Sequence, residues 1–161
     1  MDKITLEPIG VIHTPYNQPQ GTPIHPTGGR DVEGWIDIFP KFSDGLLDLD
    51  GFSHIVLVFY FHLIPEFQLL VTPFMDDKIR GVFATRSPRR PNHIGISVVR
   101  LVKIEGNKIY FKDCDILDGT PLLDVKPYFP DLNPDDKIEQ GWTKGKQQGL
   151  QTKTDDGRFT K

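Results

Sequence analysis

The chain is predicted to be all-β, a small antiparallel β-barrel with loop excursions and little helix. Fourteen Pro and fifteen Gly cut its 161 residues into short segments. The runs between them are rich in β-branched and aromatic residues. Hardly any stretch has the length and period of a long helix. With no helices to cover a sheet face, the sheet must close on itself or pack on a second sheet, and closure is the favoured solution here, with a sandwich as the alternative.

The expected strands, in order, are "LEPIGVIH" (6 to 13), "GWIDIF" (34 to 39), "HIVLVFYFH" (54 to 62), "RGVFAT" (80 to 85), "ISVVRLVKI" (96 to 104) and "NKIYFKD" (107 to 113). The third is apolar without alternation, so both of its faces should be buried, one in the barrel and one against a loop or a second subunit. Gly106-Asn107 separates the last two as a two-residue hairpin turn does. "SDGLLDLDGF" (43 to 52) reads either as one helical turn capped by Ser43 or Asp44, or as a loop. "LDGTP" is a turn, with Gly119 supplying unusual backbone angles and Pro121 ending the pairing.

An apolar fraction of 37% with eleven Phe is enough for one core of ordinary size. The domain is expected over residues 1–134. Residues 135–161 are polar and Gly-spaced, with Trp142 as their largest apolar group, and read as a loosely ordered tail pinned by that indole. No apolar run approaches the roughly 20 residues of a membrane helix, and the N-terminus lacks the pattern of a signal peptide. A cytoplasmic protein with no membrane partner is the expectation. The lone Cys114 fits a reducing compartment and reads as a small buried thiol.

A net charge of -3 argues against indiscriminate nucleic-acid binding, but the charge is unevenly spread. From Lys78 to Ile104 there are seven Lys and Arg and no Asp or Glu. The competing reading is a set of strand-edge cations that keep the surface soluble. Within this run, Ser87-Pro88 and Arg90-Pro91 stiffen the backbone that carries Arg86, Arg89, Arg90 and Asn92. Rigidly held guanidinium forks suit carboxylate or phosphate, and Asn92 either pairs with a base edge or caps the next strand. Further on, Asp118 in its turn either accepts from a ribose hydroxyl or an ammonium, or caps its own backbone. Asp124, Lys126 and Tyr128 alternate, so an extended strand projects all three from one face. They either orient a nucleophile or form a surface ion pair beside a Tyr.

Other chemistries lack their patterns. The five His never occur at metal-ligand spacing, so no metal is expected. "DCDILDG" opens like a calcium loop but fails at Leu117 and at its twelfth position. There is no G-x-G-x-x-G, no G-x-x-x-x-G-K-S/T and no G-x-S-x-G.

Four stretches, "IGVIHTPY" (9 to 16), "FSHIVLVFYFH" (52 to 62), "GVFATRSPRRPNHIGIS" (81 to 97) and "DILDGTPLLDVKPY" (115 to 128), together resemble the TsaA-like, or TrmO-like, family in order and spacing. The motif departs from the family's common form at His93, where Pro usually follows Asn. The resemblance implies a dimeric β-barrel that uses S-adenosylmethionine to methylate N6 of threonylcarbamoyladenosine beside the tRNA anticodon. It implies a cofactor site made of Thr14, Pro15, Tyr16, Phe61, His62, Arg86 and the turn Ile116, Leu117, Asp118, Gly119 and Thr120. It further implies that Arg86, Arg89, Arg90 and Asn92 face the anticodon loop. Asp118, Lys126 and Tyr128 are then the candidates that orient or deprotonate the accepting nitrogen. Two other readings stay open, a methyltransferase for a small-molecule acceptor and a non-enzymatic RNA-binding barrel.

Overall fold

The computed structural model describes residues 3–129, 141–146 and 148–160; the boundary expected at residue 134 lies outside them. Six strands form a closed, wholly antiparallel barrel: β1 (Gly10–His13), β2 (Glu33–Ile38), β3 (His54–Tyr60), β6 (Ile94–Glu105), β7 (Lys108–Lys112) and β8 (Thr120–Pro127). Around the barrel they run β1, β2, β7, β6, β3, β8 and back to β1. Closure leaves no barrel edge to be covered. Two short strands, β4 (Leu70–Val71) and β5 (Arg80–Gly81), pair with each other in the excursion between β3 and β6. The only α-helix among the described residues is a single turn, α1 (Gly149–Thr152).

Alternation along the strands builds the core. Ile12, Ile36, Ile38, Ile55, Leu57, Phe59, Val99, Ile109, Phe111 and Leu122 point inward and are buried. The β6–β7 hairpin turns at Gly106-Asn107, with Gly106 at φ +60° as such a turn requires.

Three expectations change. Pro121 does not end the pairing: it lies inside β8 opposite Val11, so the missing strand of the barrel is the segment read as a turn plus a side-chain row. "RGVFAT" is extended only at Arg80–Gly81 and then winds into a 3-10 turn over Val82–Ala84. The stretch from Pro40 to Gly51 forms two 3-10 turns, and neither Ser43 nor Asp44 caps them; the Ser43 hydroxyl donates back to the Pro40 carbonyl. On β3 the inner face is core, whereas the outer residues Val56 and Val58 are half-buried and Tyr60 is 39% exposed. Among the described residues nothing covers them fully.

The described part of the tail is held against the barrel as a strap. Thr154 bridges Pro23, the Asp155 amide donates to the Thr22 carbonyl, and the Trp142 indole donates to the Ala84 carbonyl at 2.7 Å. Phe159 completes a small second cluster with Val71 and Val82.

Candidate functional site

The open end of the barrel, where β3 finishes and β6 and β8 begin, carries a cavity of about 660 Å³. Phe59, Phe61, Gly95, Ser97 and the segment Asp115–Leu117 form its floor. The excursion supplies Arg86, Ser87 and Arg90, and the strap closes one wall with Leu150, Asp155 and Phe159. Phe61 stands edge-on to Phe59, with ring centroids 5.3 Å apart, so two aromatic faces meet the cavity at a fixed angle.

The turn that carries Asp118 is built by reciprocal bonds with the end of β1. The Thr14 hydroxyl donates to the Ile116 carbonyl at 2.8 Å, and the Thr14 amide donates to Asp118 Oδ1 at 3.1 Å. The Asp118 amide returns to the Tyr16 carbonyl, and the Gly119 amide, at φ +73°, to the Ile12 carbonyl. His13, stacked on Trp35, lies 3.4 Å from Asp118 and 3.3 Å from Asp37. Ile116, Leu117 and Thr120 line the cavity, whereas Thr14, Tyr16, Asp118 and Gly119 lie outside its lining and brace the segment that does. Pro15 is exposed beside them.

His62 lines the cavity, and burial lowers its pKa although the Asp118 carboxylate works in the opposite direction. Burial also raises the Tyr16 phenol, assisted by Cys114 and Asp115. Asp115 was not singled out in the sequence, yet it stands on the cavity floor with Oδ1 accepting the Ser97 hydroxyl at 2.8 Å. Burial pushes its carboxyl up to about 6, against the opposing pull of Ser97 and Arg86. Asp115 lies in the connection between β7 and β8 and its partner is eighteen residues away on β6, so no local pattern reveals the pair.

The four sequence candidates for RNA contact separate. Arg86 is exposed at the cavity mouth, and Asn92 is exposed on the following loop. Arg90 is half-buried, donating to the Thr85 carbonyl at 2.8 Å and the Val82 carbonyl at 3.2 Å. Arg89 is only 5% exposed, and its Nε donates to the Phe159 carbonyl at 2.8 Å. Its guanidinium thus ties the strap to the loop instead of standing in solvent. The uniform charge of the run is also offset from outside it: Asp76 pairs with Arg80, Asp31 and Asp113 with Arg100, and Glu105 with Lys103. His93 sits at φ +49°, a backbone angle closed to proline, so its loop differs from one built on Asn-Pro.

Lys126 and Tyr128 lie at the other end of β8. Lys126 pairs with Asp124 at 2.7 Å on the outer face, and Tyr128 packs edge-on to His54 at 6.2 Å. His54 opens β3 and Phe59 reaches the cavity, a separation of about 16 Å at the usual strand rise. Within one chain neither residue reaches the cavity. A second, shallower hollow at that end is lined by Ile9, Phe42, Leu49 and Val125. Among the described residues no group of His, Cys, Asp and Glu is arranged to hold a metal, and no helix is long and apolar enough to cross a membrane.

With this geometry in hand, comparison with known proteins is specific. A probable S-adenosyl-L-methionine-binding protein of Pyrococcus abyssi is 49% identical over 156 residues, covering 97% of this chain and 85% of its own. A tRNA (adenine(37)-N6)-methyltransferase of Rattus norvegicus is 34% identical over 143 residues, which are 84% of this chain but 33% of that protein. Crystal structures of TrmO superpose with TM-scores of 0.73 and, for the Pseudomonas aeruginosa protein, 0.72, at 34% and 33% identity. They match 88% of this chain, which spans 63% of each solved chain. The model of the tRNA-methyltransferase O N-terminal domain matches residues 11–134, the stretch that holds every barrel strand but the first residue of β1, and the chain belongs to that family.

Proposed function

We propose that the protein uses S-adenosylmethionine to methylate N6 of threonylcarbamoyladenosine beside the anticodon of tRNA, in the cytoplasm and as a homodimer. The observation that carries this reading is the cavity at the open end of a barrel of this family. Its volume, about 660 Å³, lies within the range of roughly 300–1,000 Å³ usual for small-molecule sites. Its lining also fits the cofactor: Phe59, Phe61 and Ile116 offer apolar faces to an adenosine, and the Arg86 fork offers a partner to a carboxylate. Gly95 keeps the floor open, since a Cβ there would stand 2.3 Å from the Phe59 ring.

When bound, S-adenosylmethionine supplies a methyl group made electrophilic by its sulfonium. The chain has to align the acceptor with that methyl and keep water out. Phe61 and Ile116 hold the reactants on the apolar floor, and Leu150 and Phe159 of the strap close the wall. No side chain has to form a covalent bond. Arg86 and Asn92, exposed beside the mouth, are the contacts for an anticodon loop whose unstacked base enters the cavity.

The homodimer reading rests on the outer face of β3 and β6. Val56 lies opposite Val98, Val58 opposite Ile96 and Tyr60 opposite Ile94, an apolar stripe bordered by Asp124 and Lys126 on β8. Ile96 is 53% exposed in the single chain. A second copy covers such a stripe.

One observation favours a small-molecule acceptor instead: Arg80, Arg89, Arg90, Arg100 and Lys103 are engaged within the fold, which thins the basic field expected for RNA. Labelled methyl transfer to total tRNA, with and without prior threonylcarbamoyl modification and followed by nucleoside mass analysis, separates the readings. Label on the modified adenosine alone is the expected result. Cofactor binding with no tRNA labelling would turn the assignment to a small acceptor.

A further inference from the structure

Among the described residues, two carboxylates line the cavity, Asp115 and Asp155. Asp155 belongs to the strap, and one of its oxygens receives the Gly157 amide at 2.6 Å. Asp115 belongs to the barrel body, between Cys114 in the core and Ile116 on the cavity wall. Ser97, itself 3% exposed and directed inward from β6, donates its hydroxyl to Asp115 and so fixes the carboxylate's orientation. Arg86 acts on the same carboxylate from the excursion, and Tyr16 and Cys114 are its titratable neighbours behind the floor. His25 and His62 stand on the other walls. Asp118, the second acid of "DILD", is employed differently, because its Oδ1 holds the Thr14 amide and faces His13.

A carboxylate sunk in an apolar floor opposes folding unless its ionised form is partnered. Here one hydroxyl, its own backbone amide and a nearby guanidinium serve it only in part, and burial pushes the carboxyl up to about 6. A group so poised and facing the reaction space is suited to proton transfer close to neutral pH.

We infer that Asp115, aimed by Ser97, is the base that takes the proton from the accepting nitrogen. The inference rests on the methyl-transfer reading above and names the residue that completes it. As the nitrogen–methyl bond forms, the methyl–sulfur bond breaks and its electron pair goes to sulfur. The proton on that nitrogen passes to the Asp115 carboxylate and then to water. A carbamoylated adenine nitrogen suits a base this weak, because the carbonyl withdraws electron density and makes the N–H more acidic than in a free exocyclic amine. Ser97 is a positioning residue: its hydroxyl favours the ionised carboxylate, so losing it raises the Asp115 pKa further.

The test compares the full-length wild type with Asp115→Asn and Ser97→Ala. Three quantities are read: S-adenosylmethionine affinity by calorimetry, single-turnover transfer to modified tRNA across pH, and heat unfolding of the cofactor-free protein across pH. Asp115→Asn is expected to bind S-adenosylmethionine within about threefold of wild type and to lose transfer by about 100-fold or more at every pH. Because the folded wild type binds more protons than the unfolded chain between pH 3.8 and about 6, its stability falls as pH rises through that window. Asn escapes that loss, so the variant melts above wild type at neutral pH and level with it near pH 4. Ser97→Ala keeps transfer at alkaline pH, and its acid limb moves to higher pH. Transfer by Asp115→Asn at close to the wild-type rate overturns the inference. So does a loss of cofactor affinity equal to the loss of transfer, which would make Asp115 a cofactor anchor, or an acid limb unmoved by Ser97→Ala. Wild type that binds S-adenosylmethionine but methylates no tRNA overturns the functional reading and the inference with it, and is distinguished by the silence of wild type itself.

Discussion

Replacing Phe159 with Ala separates the strap from the barrel. The ring is 4% exposed, packs with Val71 and Val82, and stands edge-on to Phe74 with centroids 4.9 Å apart. Its backbone carbonyl, which receives Arg89, survives the substitution. Emptying a buried Phe site costs about 3–5 kcal/mol, a factor of roughly 100 or more in an equilibrium constant. This cluster is distinct from the barrel core around Phe111 and Ile12, so the loss falls on local opening of the strap and not on global unfolding. Limited trypsin digestion reads the opening, because Lys144, Lys146, Lys153 and Arg158 lie on the strap. Cleavage there should accelerate by about 100-fold or more. The barrel's melting point should fall by less than about 4 °C, the shift of about 1 kcal/mol in a domain of this size. S-adenosylmethionine affinity should weaken as the wall formed by Leu150 and Phe159 is lost. Unchanged cleavage, or a melting-point loss as large as that of Phe111→Ala, would refute the division into barrel and strap.

Other perturbations follow from the same geometry. Gly95→Ala drives a Cβ to 2.3 Å from the Phe59 ring, so it should cost about 1–3 kcal/mol in thermal unfolding and lower cofactor affinity by displacing the floor; a variant equal to wild type in both contradicts that packing. The Cys114 thiol, pushed up to about 12 by burial, should resist iodoacetamide at pH 8 in the folded protein and react readily in urea. Equal labelling in both states would place it at the surface. The Asp76 carboxylate, held well below its ordinary 3.8 by Arg80 and then Lys146, contributes stability above that value and loses it as pH falls below. Asp76→Asn should therefore lower the heat-unfolding temperature at neutral pH, and the gap from wild type should close as pH falls below 3.8.

What the sequence disclosed and what it concealed divide by the range of the interactions. The barrel was legible because the short β-rich runs cut by Pro and Gly and the Gly106-Asn107 turn are local signals that the closed sheet satisfies. β8 was misjudged because Pro121 ordinarily stops pairing, whereas here it is the second residue of its strand. The bracing residues Thr14, Tyr16 and Asp118 came from motifs, and the structure joins them although they are 104 residues apart. Of the strap, only the pin at Trp142 was legible, the indole that donates to the Ala84 carbonyl. Its polar, Gly-spaced composition resembles a solvated tail, and what else holds it is a carbonyl at Phe159 meeting a guanidinium 70 residues earlier. That contact also explains why Arg89, one of a surface-like pair with Arg90, turned inward. Asp115 escaped notice because an Asp followed by Ile carries no signal until Ser97 is brought beside it.

If the reaction is housed in the cavity beneath the strap, the cofactor must bind there. Amide chemical-shift mapping during titration with S-adenosylmethionine tests it directly. The largest shifts should fall on Phe61, Arg86, Ser97, Asp115, Ile116 and the strap around Phe159, with Ile9, Phe42 and Leu49 at the far hollow left unmoved. Shifts centred on that far hollow, or none at saturating cofactor, would contradict it.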